Sequence, residues 1–291
     1  MTRSVCVVFL LVLLVPPARA FSLIIQNVEY ARVGEHSLKL DVYVPHGKPQ
    51  PALIVWVHGG AWRSGSKSNM PLSTLVEEGY PIASVDYRLS TQARFPAQVH
   101  DLKAAIRFLR AHGTNLRIPS TKIVIAGDSA GAHLAVLVGV SNGHAELEGK
   151  IGTNLVTSSD VQGIISLYGA ANLTTILSQS TPHGLSVRIP ALELLLGGQP
   201  TNVVDLARLA SPVFHVDPDD PPLLLLHGDE DPQMPIDQSY ELQGAYRRVR
   251  GSVEFEVVNG GAHGGPKFYD PERLAIVKRF LRQFSDPSNR N

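Results

Sequence analysis

The most constraining feature of the chain is a short segment in which an apolar strand runs into a serine between two glycines. The segment Gly127-Asp128-Ser129-Ala130-Gly131 follows the apolar run from Lys122 to Ala126 and leads into an apolar helix. Gly-x-Ser-x-Gly at a strand-to-helix junction is typical of a nucleophile elbow, a sharp turn that exposes the serine hydroxyl. Small flanking residues suit such a turn because the backbone comes close to itself. The segment predicts a nucleophile at Ser129, and a simple helix cap is the competing interpretation.

A nucleophilic serine requires a general base and a third group that orients the base. In chains with this elbow, the acid and then the histidine follow the serine, each in a loop after a later strand. The strand Val253–Val258 runs into a glycine-rich loop that contains His263, which is therefore the predicted base. The strand Pro222–Leu226 runs into a loop with two candidate acids, Asp229 and Asp231. Order and spacing do not separate these two.

An early loop supplies donors for the negative oxygen that develops during acyl transfer. His58-Gly59-Gly60-Ala61-Trp62 follows an apolar strand, and its glycines allow the main chain to approach an ester carbonyl. The backbone N–H groups of Gly60, Ala61 and Ala130 are predicted to form the oxyanion hole. His58 is expected to brace the loop, whereas Trp62 is either a core residue or a wall of the substrate pocket.

The apolar runs predict an α/β fold with a mostly parallel sheet. Leu38 to Val44 alternates apolar and polar residues, as a half-buried strand near a sheet edge does. Strands covered on both faces are predicted from continuous apolar runs at Leu53–Val57, Ile82–Val85, Lys122–Ala126, Gly163–Leu167 and Pro222–Leu226. Amphipathic helices are predicted at Ala97–His112 and near Leu274 to Phe284, and Thr181 to Asp205 suits an inserted lid or a crossover loop. This order favours helices on both faces of the sheet and an antiparallel start.

Both ends of the chain are expected to lie outside this fold. Arg3, the apolar stretch Val5 to Val15 and Ala18-Arg19-Ala20 form a signal-peptide pattern with cleavage after Ala20, which implies a secreted or periplasmic protein. The apolar stretch is too short to cross a bilayer, which takes about 20 residues, so stable membrane insertion is not expected. Residues 21–285 are expected to form one domain, and 286–291 a disordered tail.

Charge and cysteine content argue against several classes of function. Lys and Arg number 26 and Asp and Glu number 26, so the net charge does not favour nucleic acid as a partner. Cys6, the only cysteine, lies in the predicted signal peptide, which excludes disulfides and cysteine catalysis in the processed chain. We expect no metal and no cofactor, because no histidine pair has a convincing ligand spacing and no phosphate loop occurs. Asn172-Leu173-Thr174 is a glycosylation sequon, relevant in a eukaryotic host.

Taken together, the motifs resemble those of α/β-hydrolase esterases of the hormone-sensitive-lipase-like kind, particularly the secreted BD-FAE-like group that deacylates carbohydrates. The resemblance spans about residues 25 to 284 and rests on His58-Gly59-Gly60-Ala61-Trp62, Asp86-Tyr87-Arg88-Leu89, Phe95-Pro96-Ala97, Gly127-Asp128-Ser129-Ala130-Gly131, Ala210-Ser211-Pro212, Pro221-Pro222-Leu223, His227-Gly228-Asp229-Glu230-Asp231 and Gly261-Ala262-His263-Gly264. It implies an eight-stranded sheet, and it implies that Asp231 is the triad acid. Many relatives have a third glycine where this chain has Ala61, which is expected to be tolerated if its φ is negative.

The motifs and the resemblance predict a serine carboxylic ester hydrolase that works through an acyl-enzyme on Ser129, with His263 as base and Asp231 orienting it. Short-chain acyl esters are the expected substrates, and acetylated or feruloylated carbohydrates are candidates among them. Related arylformamidases and isoprenylcysteine methylesterases keep the substrate open. An amidase or peptidase with the same triad and a secreted binding module without catalysis are the alternative functions.

Overall fold

A mostly parallel sheet of eight strands forms the centre of the part of the chain that the computed structural model describes, residues 23–285. In chain order the strands are β1 (Leu23–Val33), β2 (His36–Val44), β3 (Ala52–Val57), β4 (Ile82–Val85), β5 (Lys122–Asp128), β6 (Gly163–Leu167), β7 (Leu223–Gly228) and β8 (Val253–Val258). Across the sheet their order is β1-β2-β4-β3-β5-β6-β7-β8. The β1–β2 and β2–β4 pairs are antiparallel and the others parallel. The predicted signal peptide (1–20) and tail (286–291) lie outside the described residues.

Helices cover both faces of this sheet. They are α1 (Ser73–Glu77), α2 (Ala97–His112), α3 (Ala130–Gly139), α4 (Ala145–Glu148), α5 (Ile176–Gln179), α6 (Pro182–Leu196), α7 (Val204–Leu209), α8 (Asp237–Arg248) and α9 (Pro271–Arg282). Successive residues of β3 pack into different cores: Val55 and Val57 contact the core under α2 and α3, whereas Trp56 contacts the core under α1 and α9. Both faces of the central strands are therefore apolar, which explains their continuous apolar runs.

The structure confirms the α/β fold with its antiparallel start and differs from the predicted elements in two places. The edge strand β1 has no regular apolar alternation, and its pairing with β2 shifts register twice, so periodicity does not predict it. The segment from Thr181 to Asp205, for which we expected a lid or a crossover loop, is largely the helix α6. Thr181 caps that helix by accepting a hydrogen bond from the Gly184 N–H, and Gly197 ends it in a left-handed conformation.

A buried ion pair connects the loop after β4 to α2. The Asp101 side chain is fully buried and accepts hydrogen bonds from the Arg88 backbone N–H (2.9 Å) and from Nη2 of the Arg88 guanidinium (2.7 Å). In the same loop, the Tyr87 hydroxyl donates to the His58 carbonyl oxygen at 3.0 Å. The pair therefore holds the loop that supports the segment beginning at His58.

At the amino end of β7, opposite to the end of the sheet where the loop after β4 lies, the Asp220 carboxylate is partly buried. Burial raises the pKa of Asp220 to about 7, and repulsion from Asp217 and Asp219 adds to the effect. An aspartate in an unfolded chain has a pKa of about 3.9. The folded state therefore favours the protonated carboxyl, so this group favours folding at low pH, and the effect is lost as the pH rises from about 4 to about 7.

We predict that Asp220→Asn raises the thermal unfolding midpoint at pH 8 and leaves it nearly unchanged at pH 4, because the amide is neutral at both pH values. Thermal unfolding followed by circular dichroism between pH 4 and pH 8 measures the difference. Glu35→Gln, at an exposed position in the turn between β1 and β2, is the control for loss of a charge alone. A difference between Asp220→Asn and the wild type that is the same at every pH would contradict the prediction.

Candidate active site

The predicted nucleophile lies in a strained turn between β5 and α3. Ser129 has φ 51° and ψ −118°, a conformation that residues with a side chain rarely adopt. Its backbone N–H donates to the Leu167 carbonyl at 2.9 Å. The flanking glycines are required by close contacts, since a Cβ on Gly131 would lie 2.1 Å from the Val57 carbonyl oxygen and one on Gly127 2.6 Å from the Gly131 backbone. The turn thus forces Ser129 out at the carboxyl end of the sheet.

The structure brings the predicted base and acid to this serine. Nε2 of His263 lies 2.9 Å from the Ser129 hydroxyl oxygen, and Nδ1 of His263 lies 2.7 Å from a carboxylate oxygen of Asp231. The Ser129 residue is 5% exposed, and the Asp231 side chain is 1% exposed. A carboxylate at Nδ1 keeps the proton on that nitrogen, which leaves Nε2 free to accept the serine proton. The three residues thus form one continuous hydrogen-bond chain.

Asp231 is held ionised by the donors around it. One carboxylate oxygen accepts the backbone N–H groups of Gln233 and Met234, both at 2.8 Å. Burial acts to raise the pKa of Asp231, but hydrogen bonds from His227 and His263 outweigh it and hold the pKa well below its usual range. A carboxylate in this environment stays ionised beside the imidazole of His263.

The other candidate acid, Asp229, has a different environment. Its side chain is exposed, and it accepts the backbone N–H of Gly260 at 2.6 Å. In addition, the Glu230 N–H donates to the Gly261 carbonyl at 3.0 Å. Asp229 thus connects the loop of the acid to the loop of the base and does not contact the imidazole, so the geometry separates the two acids that spacing leaves open.

Two of the three expected oxyanion donors line the same cleft, and the third, Ala130, directly follows Ser129. Gly60 and Ala61 line it together with Ser129 and His263. Among the backbone hydrogen bonds that the described residues make, none has the N–H of Gly60, Ala61 or Ala130 as its donor. Unpaired N–H groups beside a nucleophile are what the oxyanion of a tetrahedral intermediate requires.

The negative φ that we set as the condition for tolerating Ala61 is not met, since its φ is +51°. Trp62, with φ +60°, follows in the same left-handed region. The cause is a tight turn in which the N–H groups of Arg63 and Ser64 both donate to the Gly60 carbonyl, at 3.1 and 3.0 Å. A left-handed conformation costs a residue with a Cβ about 1–2 kcal/mol, so the loop stores strain beside the serine.

The alternative that Trp62 forms a wall of the substrate pocket is also wrong. Its side chain is fully buried, and its Nε1–H donates to Nδ1 of His133 at 3.1 Å. Burial lowers the pKa of His133 to about 4, so this imidazole is neutral and its Nε2–H donates to the Ala210 carbonyl at 2.7 Å. Trp62 therefore supports the oxyanion loop from the core.

His58 braces the start of this loop, as expected. Its imidazole is buried, stacks on the Tyr87 ring with centroids 4.5 Å apart, and donates from Nδ1 to the Gly59 carbonyl at 2.8 Å. His58 is thus held by contacts that leave no role as a second base.

Sequence reasoning misses several residues of the cleft. The cleft has a volume of about 350 Å³, and the lining residues that were not predicted are Arg63, Ser64, Asp128, Tyr168, Val187 and Gln233. Tyr168 has φ +43°, and its ring meets that of His263 edge to face with centroids 4.9 Å apart. Its position directly after β6, at the same sheet edge as Ser129, is the signal that could have identified it.

Three further observations concern a metal site, a membrane-spanning helix and the glycosylation sequon at Asn172. Within residues 23–285 no group of three or more His, Asp, Glu or Cys side chains could hold a metal ion. None of the helices described there is long and apolar enough to span a bilayer. The Asn172 side chain is buried, donating to Glu241 at 2.6 Å and accepting from Thr174, so a glycan has no room at this sequon.

Comparison with known proteins identifies similar chains. The BD-FAE family model matches residues 40–246. The chain is 31% identical to "Esterase LipC" of Mycobacterium tuberculosis over 225 residues, which are 75% of this chain and 53% of that protein. It is 28% identical to "Probable isoprenylcysteine alpha-carbonyl methylesterase ICMEL1" of Arabidopsis thaliana over 83% of this chain and 52% of that protein. The chain thus spans about half the length of these curated relatives.

Solved structures share the whole fold. A truncated carbohydrate esterase from gut microbiota has a TM-score of 0.81 and 30% identity, with 93% of this chain and 99% of that chain covered. The native Est2 esterase of Thermogutta terrifontis has a TM-score of 0.73 and 25% identity, with 91% and 95% covered. From the family match and this shared fold, the chain belongs to the BD-FAE family of α/β-hydrolases.

Proposed function

We propose that this protein is a serine carboxylic ester hydrolase that acts through an acyl-enzyme. The observation that carries the proposal is the hydrogen-bond chain from Asp231 through His263 to Ser129, with contacts of 2.7 and 2.9 Å. It lies beside backbone N–H groups that have no acceptor among the described residues. A noncatalytic binding module has no use for this arrangement, and the similarity to esterases supports ester bonds over amide bonds.

The geometry supports a two-stage reaction. Ser129 Oγ attacks the ester carbonyl while its proton passes to Nε2 of His263, and the N–H groups of Gly60, Ala61 and Ala130 stabilise the oxyanion. The tetrahedral intermediate collapses as His263 protonates the leaving alcohol, which leaves an ester on Ser129. Water then attacks that ester, again with His263 taking the proton, and the carboxylic acid leaves as Ser129 is regenerated.

Short acyl groups suit the cleft, whose volume is about 350 Å³. Acetylated or feruloylated carbohydrates are the substrate class that we propose, supported by the similarity to a structure titled as a carbohydrate esterase. We further propose that the protein is exported, which rests on the leader pattern in residues 1–20.

We predict that kcat/KM falls as the acyl chain of p-nitrophenyl esters grows from acetate to decanoate, because longer chains extend beyond the cleft. Initial rates across the series measure this, with acetylated xylan and methyl ferulate tested in parallel. A rate maximum at decanoate would contradict the short-acyl preference.

We predict that Ser129→Ala folds normally but loses nearly all ester hydrolysis and all covalent labelling by a fluorophosphonate, because it lacks the attacking oxygen. Circular dichroism, p-nitrophenyl acetate hydrolysis and intact-protein mass spectrometry measure these properties. Ser64→Ala is the matched control, since Ser64 lines the same cleft and its hydroxyl donates to the Gly60 carbonyl at 3.0 Å and to no imidazole of the described residues. Wild-type hydrolysis by Ser129→Ala, or labelling lost equally in both variants, would overturn the assignment.

We predict that Asp231→Asn lowers kcat by about 10³- to 10⁴-fold with little change in KM, because the amide no longer holds the imidazole in the reactive tautomer. The isosteric change at the neighbouring acid, Asp229→Asn, retains most activity, because among residues 23–285 that side chain hydrogen-bonds only to the Gly260 N–H, which an amide oxygen also accepts. Steady-state kinetics of the two variants compare the candidates directly. A larger loss for Asp229→Asn would reverse the assignment.

A further inference from the structure

An arginine beside the catalytic cleft has no partner for its charge. Arg188 of α6 is fully buried, and none of its three guanidinium nitrogens has a hydrogen-bond partner among the described residues. The guanidinium carries five N–H donors and is always charged. Burying such a group without an acceptor is costly, and native proteins seldom retain one without a functional reason.

The helix places this arginine next to the cleft. The preceding residue, Val187, lines the cleft together with Ser129 and Gln233. One turn earlier, a Cβ on Gly184 would lie 2.9 Å from the Gln233 carbonyl oxygen. Gly184 and Arg188 share a helix face because they are four residues apart. This face of α6 therefore packs against the loop that carries Asp231.

Local charges leave the arginine unneutralised. Burial lowers the pKa of Arg188 to about 10. The negative charge of Asp231 acts to raise this pKa, and the positive charge of Arg63 acts to lower it. The Asp231 carboxylate already accepts hydrogen bonds from His263 and two backbone N–H groups. Arg63 lines the cleft, and among the described residues it forms no ion pair. Arg188 and Arg63 thus place two cationic groups at the cleft, and the Asp128 carboxyl that also lines it accepts a hydrogen bond from the Tyr168 hydroxyl at 3.4 Å.

The first half of α6 contributes few side chains to the core and is held mainly at its start, where the Thr181 hydroxyl donates to the Pro232 carbonyl at 2.5 Å. Of its residues Pro182 to Ile189, only Gly184 and Arg188 are buried, whereas the second half inserts apolar side chains into the core. Pro190 has no N–H to donate to the Ser186 carbonyl, which weakens the helix between the two halves. A displacement of the first half would therefore remove few apolar side chains from the core.

We propose that Arg188 is an anion subsite of the active site and that the substrate is an ester with a carboxylate on its acyl or its alcohol part. The carboxylate pairs with the guanidinium, in the bidentate manner that this group favours, when the first half of α6 moves aside. Arg63, at the cleft surface, adds attraction for the incoming anion. This inference rests on the proposed ester hydrolysis and names its substrate class more closely.

Two matched pairs of esters test the proposal on the wild-type protein. Mono-p-nitrophenyl succinate carries a carboxylate on its acyl part, and p-nitrophenyl pentanoate is its neutral counterpart. 4-Acetoxybenzoate carries a carboxylate on its alcohol part, and 4-acetoxybenzamide is its neutral counterpart. We expect kcat/KM to favour the carboxylate ester by at least about 10-fold in one pair, and that pair identifies the side that faces Arg188. Equal rates, or slower hydrolysis of the carboxylate ester in both pairs, would overturn the proposal without any variant.

The variant Arg188→Met, of similar length but uncharged, is expected to abolish this preference by lowering kcat/KM for the carboxylate ester about 10- to 100-fold. Neutral esters should change by no more than about threefold, and Arg247→Met, at an exposed position of α8, should retain the preference. An equal loss on both esters of a pair would show a merely structural role and overturn the inference. Should Arg188→Met not fold, the wild-type ratios decide alone.

The failure of this inference differs from failure of the proposed function. If neither neutral nor charged esters are hydrolysed and a fluorophosphonate does not label Ser129, ester hydrolysis itself is wrong. If neutral esters are hydrolysed and carboxylate esters are not preferred, the hydrolase remains and only the anion subsite is wrong.

Discussion

The close approach of the start of α3 to the end of β3 is the constraint on which the site depends. At the carboxyl end of the sheet, the start of α3 lies so near to β3 that a Cβ on Gly131 would be 2.1 Å from the Val57 carbonyl oxygen. This contact fixes the direction of α3, and it forces the strained conformation of Ser129. Because the oxyanion loop continues directly from β3, the same contact sets the distance between that loop and the serine. The proposed nucleophile and the proposed oxyanion donors are thus positioned by one packing interaction.

Burial distinguishes the base from the other histidines near it. His58, His133 and His227 are almost completely buried, and each has ring nitrogens engaged by backbone or side-chain partners. His263 is the one of the four that extends into the cleft, and its Nε2 faces the serine. Three imidazoles therefore act as rigid polar braces, whereas the fourth, the proposed base, presents its Nε2 to Ser129.

Much of the fold and of the catalytic chain could be predicted from sequence, because both depend on local patterns. Continuous apolar runs predicted the central strands. Ser129 directly follows β5 and His263 lies in the loop after β8, so chain order was enough to predict that the two lie at the same end of the sheet. Asp229 and Asp231 could not be separated, because their difference lies in which backbone N–H groups each accepts. The φ of Ala61 and the burial of Trp62 depend on a turn and on α3, neither of which has a local signature. Arg188 could not be identified from the sequence, because an arginine is expected at the surface until its burial is known.

The hydrogen bond that the Gly260 N–H donates to Asp229 has a consequence for how the three catalytic candidates are connected. It joins the loops after β7 and β8, and a Cβ on Gly228 would lie 2.0 Å from the Gly261 carbonyl oxygen, so these loops are in tight contact. The loops of Asp231 and His263 are therefore joined directly to each other, whereas Ser129 is joined to them through the sheet, by the hydrogen bond from its N–H to the Leu167 carbonyl of β6 at 2.9 Å. The 2.9 Å contact between Ser129 Oγ and His263 Nε2 is thus where the loops after β7 and β8 meet the turn after β5.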